Sequence, residues 1–340
     1  MATESNKHLA YMTDEDFMEM FEQLGAAEMS RQTAYTQRLI HRRRRNLEKQ
    51  YGIILNPPGK GQTIEVERTA RREHFMDDGS ILIFSDAHYW PQLIPTIHFA
   101  ICEIAEEIQP DLIVANGDIF DGAMMSRHAK INWEENPAPI DEIYACQARL
   151  GEIENAAPKA RKIWTLGNHD ARFESYIANN VPELAKVQGV HLKDHFPNWE
   201  TAWSCWVNDE IVIKHRWHGG IHAAWNNVLK SGKTIVTGHT HQLNIRPFVD
   251  YNGLRYGIEG GTCSEPNGPQ YLAYTEDNPK NWVSSAIVLT IKNGLLLPPE
   301  PILRTDRGKY AFRGELRECG SDKRKNTKSP KRIRTTRKRK

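Results

Sequence analysis

The sequence is poor in cysteine and has no long apolar run. Its five cysteines lie far apart and form no CxxC pair, which argues against a disulfide-stapled scaffold and indicates reduced thiols in an intracellular protein. Because no stretch of 18 apolar residues occurs, we expect no membrane span and no membrane partner. The polar first ten residues contain no signal-peptide core. A P-loop is also missing, since Pro58-Gly59-Lys60-Gly61 lacks its spacing and its following helix.

Charge is distributed unevenly along the chain. The formal net charge of +2 combines an acidic body with two basic segments. Residues 31–75 hold eleven Lys/Arg and four Asp/Glu, and residues 321–340 hold eleven and one, whereas residues 76–320 hold 22 and 31. Carboxylates suit metal sites, and Lys and Arg suit polyanions. We therefore predict nucleic acid as a partner, with DNA favoured; the tail could alternatively serve as a nuclear-localisation signal.

The chain is predicted to divide into four segments. They are a small all-α segment (1–52), a linker (53–75), an α/β domain (76–300) and a polar, basic, disordered tail (301–340). Short buried strands, such as residues 81–84 and 112–115, alternate with amphipathic helices in the third segment, which is the pattern of an α/β domain. A later Asn-Gly pair predicts a hairpin.

The N-terminal segment is predicted to hold three helices. Thr13 caps the first and Gly25 ends it, a short second helix runs to Thr33, and a third covers residues 36–50. The third helix carries the predicted nucleic-acid contacts Arg42, Arg43, Arg44 and Arg45. Two interpretations stay open, a DNA-binding helix-turn-helix or a helical arm with a solvated arginine face. The helix-turn-helix interpretation is typical of bacterial and phage proteins, so we expect the protein in the cytoplasm of a bacterium or of a phage-infected cell.

Metal-ligating side chains follow the predicted strands. They occur in Asp86-Ala87-His88, Gly117-Asp118, Gly167-Asn168-His169-Asp170, His215 and Gly238-His239-Thr240-His241. In open α/β sheets, ligands gather at the carboxyl ends of strands, so these motifs can converge although they span more than 150 residues. Carboxylate and imidazole suit divalent Mn, Fe, Zn, Mg or Co, and the absence of a thiolate argues against a structural zinc site. The motifs predict a site for two divalent cations and phosphoester hydrolysis.

This order of motifs resembles the calcineurin-like metallophosphoesterase superfamily over roughly residues 80–242, and more loosely its phage-encoded members. The resemblance implies an αββα sandwich of two mixed sheets flanked by helices, and two divalent metal ions, with manganese favoured. It implies that one metal is held by Asp86, His88 and His241, that the other is held by Asn168, His215 and His239, and that Asp118 bridges them. A metal-activated hydroxide would then attack phosphorus in line.

The resemblance also implies roles around the metals. His169 would stabilise or protonate the leaving oxygen. Asp170 is predicted to be catalytic together with His169. Asp170 and Asp121 would orient His169 or a ligand, or else cap a helix. The fourth motif offers two histidines: His215 directly follows the strand, whereas His218 precedes a glycine, as that ligand often does in the family. The one that is not a ligand could contact a phosphate, as could Arg216.

Three functions are weighed. We predict a two-metal phosphodiesterase or nuclease that acts on nucleic acid. The alternative is a metal-dependent phosphatase on a small molecule or phosphoprotein, with the basic ends used only for localisation. The third is a DNA-binding protein with an inert hydrolase body, and the intact ligand set argues against it.

Overall fold

The computed structural model describes residues 12–33, 35–58, 70–127, 136–271, 275–276 and 278–320. The helices are α1 (Asp14–Gln32), α2 (Gln37–Tyr51), α3 (Thr96–Ile108), α4 (Pro139–Ala156), α5 (Asp170–Asn180) and α6 (Ala223–Ser231). The strands are β1 (Arg71–His74), β2 (Gly79–Phe84), β3 (Leu112–Ala115), β4 (Arg161–Thr165), β5 (Glu200–Ala202), β6 (Ser204–Val207), β7 (Ile211–Ile213), β8 (Thr234–Thr237), β9 (Leu243–Asp250), β10 (Gly253–Gly260), β11 (Ser285–Lys292), β12 (Leu295–Leu296), β13 (Glu300–Asp306), β14 (Lys309–Phe312) and β15 (Glu315–Glu318).

These strands form two mixed sheets. The larger has the order β15-β14-β13-β11-β2-β3-β4-β5, with β12 paired to β11, and its strands β2 to β5 are parallel. The smaller has the order β1-β6-β7-β8-β10-β9, with β7, β8 and β10 parallel. Every residue of β3 is buried, because both faces of the larger sheet are covered by other layers.

The layers are helix, sheet, sheet and helix. One core lies between α3, α4 and the larger sheet, and it includes Ile104, Ile153 and Ile113. A second core, with Val114 and Val236, fills the space between the two sheets. On the outer face of the smaller sheet, α6 packs through a small third cluster. The predicted αββα sandwich is therefore confirmed.

The N-terminal segment has its own small core and docks onto the sandwich. Phe17, Phe21 and Ile40 are fully buried in it. Gly25, at φ 69°, kinks α1 into two helical pieces, at the point where the sequence predicts a break. The segment thus holds two long helices, one of them kinked, and α2 faces the body.

The arginines of α2 form ion pairs within the chain. Their pairs are Arg42 with Asp77 at 3.1 Å, Arg43 with Asp14 at 3.0 Å, Arg44 with Glu48 at 3.4 Å and Arg45 with Asp209 at 3.2 Å. Arg38 also pairs with Glu210. Three of these acids, Asp77, Asp209 and Glu210, belong to the body, so one face of α2 is used for docking. The prediction that the four arginines contact nucleic acid stays untested, and the structure gives their charges a different use.

Two predicted boundaries are wrong. Residues 71–74, assigned to the linker, form β1 beside β6. Residues 301–318, assigned to the disordered tail, form β13, β14 and β15 at the edge of the larger sheet. These edge strands bury few side chains and alternate them with polar ones, so their apolar content is low. Residues 59–69 and 321–340 lie outside the described part of the chain. None of the described helices is long and apolar enough to cross a membrane.

The edge strands should contribute measurably to stability. Phe312 is 1% exposed, so we expect Phe312→Ala to lower the free energy of unfolding by about 3–5 kcal/mol. Leu316, on the neighbouring β15, is 67% exposed, and Leu316→Ala should change it by less than about 0.5 kcal/mol. Urea unfolding of both variants measures the difference. Equal midpoints would show that this edge is not part of the folded core.

Candidate metal centre

The predicted ligands converge at the carboxyl ends of five strands. Asp86 and His88 follow β2, Asp118 follows β3, Asn168 follows β4, His215 follows β7, and His239 and His241 follow β8. The first three of these strands belong to the larger sheet and the other two to the smaller one. The site therefore lies where the carboxyl-end loops of both sheets meet.

Six of these side chains form two clusters, and within each cluster the ligand atoms lie within 4.8 Å of one another. The clusters are Asp86, His88 and His241, and Asp118, His215 and His239. His241 Nε2 is 3.2 Å from Asp86 Oδ1 in the first, and His215 Nε2 is 3.1 Å from Asp118 Oδ2 in the second. The same Asp118 oxygen is 4.0 Å from His88 Nε2 of the first cluster. Asp118 thus lies between the clusters, where a bridging carboxylate belongs.

The donor atoms fit divalent cations. Within the described part of the chain, His88 Nε2, His215 Nε2 and Asn168 Oδ1 are buried without a hydrogen-bond partner. Buried polar atoms are rarely left unsatisfied, so unpaired donor atoms of this kind in one place indicate a bound cation. Burial lowers the pKa of His215, but the charges of Asp118 and Asp86 outweigh it and raise that pKa to about 10. The site therefore attracts positive charge.

The backbone around the ligands is strained. Positive φ angles occur at five predicted ligands, which are Asp86, His88, Asp118, His239 and His241. Non-glycine residues rarely adopt this conformation, and such strain is concentrated at functional sites. The motif glycines have a steric reason, since a Cβ at Gly117 would collide with the His215 ring and a Cβ at Gly167 with the Asp118 carboxylate.

The structure decides between the two histidines of the fourth motif. His215 is 1% exposed, and its Nδ1 is 2.8 Å from the carbonyl oxygen of Asn116, which leaves Nε2 for a metal. His218 lies outside both clusters, and its ring stacks on Trp217. His215 therefore lies with the other predicted ligands, and His218 does not.

Asp121 connects a ligand to the predicted general acid. Its Oδ1 is 2.7 Å from His88 Nδ1 and 3.0 Å from His169 Nδ1. Arg172 lies 3.1 Å from the other ring nitrogen of His169. Burial alone would lower the pKa of His169, but the bond to Asp121 and the charge of Asp118 outweigh it and raise that pKa. Asp121 therefore orients the rings of His88 and His169, and it caps neither α4 nor α5.

Asp170 supports the loop of a predicted ligand rather than the His169 ring. Its oxygens accept hydrogen bonds from the backbone N–H groups of residues 118, 119, 120 and 167 and from Trp164 Nε1, at 2.8 to 3.1 Å. It is 1% exposed, and burial raises its pKa to about 6. Within the described residues its hydrogen bonds do not reach His169. Asp170 therefore holds the loop that carries Asp118, which is a positioning role, and the prediction that it is catalytic stays untested.

Glu259 is a supporting residue that the sequence reasoning missed. It is fully buried on β10, and its oxygens accept hydrogen bonds from Thr240 Oγ1 at 2.6 Å and from Asn244 Nδ2 at 2.7 Å. It thereby fixes the loop between His239 and His241. The sequence signal that could have pointed to Glu259 is a single acidic residue near the end of an otherwise largely apolar strand.

The fold and the site define a metal-dependent phosphoric ester hydrolase. The model of the calcineurin-like phosphoesterase family matches residues 79–256, just over half of the chain. The chain belongs to that family.

Similar sequences occur in phages. The chain is 26% identical over 240 residues to the Gene 54 protein of Mycobacterium phage L5, covering 62% of this chain and 88% of that protein. It is 24% identical over 219 residues to the Gene 54 protein of Mycobacterium phage D29, covering 56% and 81%. These names state no activity, so they add no function to the family assignment.

Two solved structures are more distantly similar. Vps29 complexed with zinc from Entamoeba histolytica has a TM-score of 0.38 and 15% identity, and the match covers 70% of this chain and 98% of that one. A protein serine/threonine phosphatase from Saccharomyces cerevisiae has a TM-score of 0.35 and 10% identity, with 74% and 85% covered.

Proposed function

We propose that this phosphoesterase is a two-metal phosphodiesterase or nuclease that acts on nucleic acid, with manganese as its metal. The observation that supports the substrate class is an unpaired arginine beside the metal ligands. Arg216 directly follows His215, is exposed, and forms no ion pair with any residue that the structure describes. The arginines of α2, in contrast, are all paired.

Arg216 lies close enough to the metal centre to act on His239. Burial and the charge of His215 lower the pKa of His239, Asp118 and Asp86 oppose them, and Arg216 adds a smaller lowering effect. The next side chain, Trp217, is 44% exposed, and Lys214 Nζ lies 5.8 Å from its ring centroid. A guanidinium and an exposed indole side by side are suited to a phosphate and an unpaired base. Single-stranded DNA is therefore the favoured substrate.

The chain's own residues support this chemistry. When bound, two divalent cations would polarise the phosphoryl group and lower the pKa of the attacking water toward neutral. Asp118 would reduce the repulsion between the cations. His169 Nε2 lies 4.0 Å from Asp118 Oδ2 and 3.1 Å from Arg172, and Asp121 holds the opposite ring nitrogen. With Arg172 turned toward the substrate phosphate, the protonated imidazole would donate its proton to the leaving oxygen.

A substrate panel tests the proposal. We expect the protein with Mn²⁺ to hydrolyse single-stranded DNA faster than duplex DNA, RNA or mononucleotides. Arg216→Gln should raise KM for an oligonucleotide about tenfold, since a hydrogen bond to a charged group contributes about 1.5–3 kcal/mol, and should reduce the salt slope of binding by about one. Arg307, exposed on the β13–β14 turn, provides the control Arg307→Gln. Hydrolysis confined to phosphomonoesters would support the phosphatase alternative.

A further inference from the structure

A second group of metal-ligating side chains lies between α3 and α4, apart from the dinuclear centre. His98 and Cys102 are four residues apart on α3, and Glu152 faces them from α4. Their ligand atoms all lie within 4.8 Å of one another. His98 Nε2 is 2.8 Å from Glu152 Oε2 and 3.6 Å from Cys102 Sγ. Residues four apart on a helix share a face, which is why the ring and the thiol meet.

We propose that His98, Cys102 and Glu152 form a separate site for a single zinc-like divalent ion, with water as the fourth ligand. Imidazole, thiolate and carboxylate are the three ligand types that zinc accepts in proteins. A tetrahedral ion with bonds of about 2.0 Å to nitrogen and about 2.3 Å to sulfur separates those two atoms by about 3.5 Å. The distance between His98 Nε2 and Cys102 Sγ, 3.6 Å, is close to this value, whereas the 2.8 Å between His98 Nε2 and Glu152 Oε2 would have to lengthen by a few tenths of an ångström when an ion binds.

Neighbouring groups prepare two of the three ligands. Tyr89 Oη lies 2.9 Å from His98 Nδ1, and the His98 ring is fully buried. In the structure His98 Nε2 donates to Glu152 Oε2 at 2.8 Å. A bound ion would replace that proton, and Tyr89, whose hydroxyl can accept as well as donate, would then stabilise the tautomer in which Nδ1 carries the proton. Arg149 is 2.9 Å from Glu152 Oε1, which leaves Oε2 directed at the site.

The site is open on one side. The side chain of Glu152 is 43% exposed, and Cys102 is partly exposed. An ion can therefore enter, and a water can complete the coordination shell. Within the described residues, this openness distinguishes Cys102 from the other four cysteines, all of which are buried.

A metal-free reactive thiol is the competing role for Cys102. Burial, followed by the charge of Glu152, raises the pKa of this thiol to about 12. A thiol with such a pKa carries its proton at neutral pH and is a poor nucleophile. A divalent ion would displace the proton, so binding should release protons and strengthen as the pH rises.

Cobalt can separate this site from the dinuclear centre. The seven predicted ligands of the dinuclear centre include no thiolate, so a thiolate-to-cobalt charge-transfer band in the near ultraviolet would report only on Cys102. We expect Co²⁺ titration of the wild-type protein to show three equivalents bound, with this band accompanying one of them. Cys102→Ala should lose the band and that equivalent. Asp118→Asn should keep the band although its dinuclear centre is impaired.

Two further variants complete the test. Cys205 is buried on β6, outside the clusters of described ligands, and Cys205→Ala should leave the band unchanged. Glu152→Gln should weaken cobalt binding at this site by about tenfold or more, and its exposed position makes misfolding an improbable cause. The proposal is overturned if the wild-type protein shows no thiolate band with three equivalents of cobalt, or if the band survives in Cys102→Ala. Neither result depends on the substrate of the dinuclear centre.

Discussion

Asp118→Asn should reduce hydrolysis of bis-p-nitrophenyl phosphate in Mn²⁺ buffer by at least about a thousandfold, because several kcal/mol of transition-state stabilisation depend on two correctly placed cations. The Asp118 carboxylate lies between the two ligand clusters, with Oδ2 3.1 Å from His215 Nε2 and 4.0 Å from His88 Nε2. Burial alone would raise its pKa, but His215, His169 and His88 outweigh it and hold that pKa well below its ordinary value. The side chain is therefore an anion, and asparagine removes its charge while keeping its shape.

The loss should come from the metals rather than from the fold. Asparagine keeps the oxygen that accepts the His169 backbone N–H at 2.8 Å, so the loop should hold its conformation. We expect the metal content after dialysis to fall below two equivalents while the urea midpoint stays close to that of the wild-type protein. Asp141→Asn, in the first turn of α4, is the matched control and should retain full activity. Near-normal activity of Asp118→Asn would contradict the assignment of this site as a two-metal centre.

The ligand set was largely predictable from the sequence because local rules govern it. Each ligand follows a short apolar strand, and parallel strands bring their carboxyl ends to one edge. His215 required the structure, since the group that orients it, the Asn116 carbonyl, lies about 100 residues earlier in the chain. Spacing within the motif could not decide between His215 and His218, because only one of the two rings meets that carbonyl.

The supporting residues were harder to predict because their partners are distant. Asp170 stands beside His169, so proximity in sequence suggested a shared role, yet three of its five hydrogen-bond donors are backbone N–H groups about 50 residues away. The arginines of α2 were interpreted as a polyanion-binding face, yet Arg42 and Arg45 pair with acids of the body. In both cases the sequence shows which side chains are charged, and only the three-dimensional contacts show which groups they pair with.

The role of His169 leads to the second large effect, and it depends on the leaving group. His169→Asn should lower kcat for a dinucleotide by about 10²- to 10⁴-fold, the range for loss of a positioned general acid. An alkoxide leaves poorly without a proton, whereas p-nitrophenolate leaves without one. The same variant should therefore lose much less activity on bis-p-nitrophenyl phosphate.

This contrast separates proton donation from a purely structural role. If the His169 side chain only fixed the loop whose backbone N–H donates to Asp118 Oδ1, a change of loop conformation would lower activity on both substrates equally. Asp121→Asn should show a weaker version of the same pattern, because it removes the carboxylate that holds His169 Nδ1 but also disturbs the ligand His88. His191→Asn is the control. The His191 ring is hydrogen-bonded to Glu174 of α5, and this variant should change neither rate. An equal loss on both substrates in His169→Asn would reject the general-acid role and leave the metal ligands as the source of catalysis.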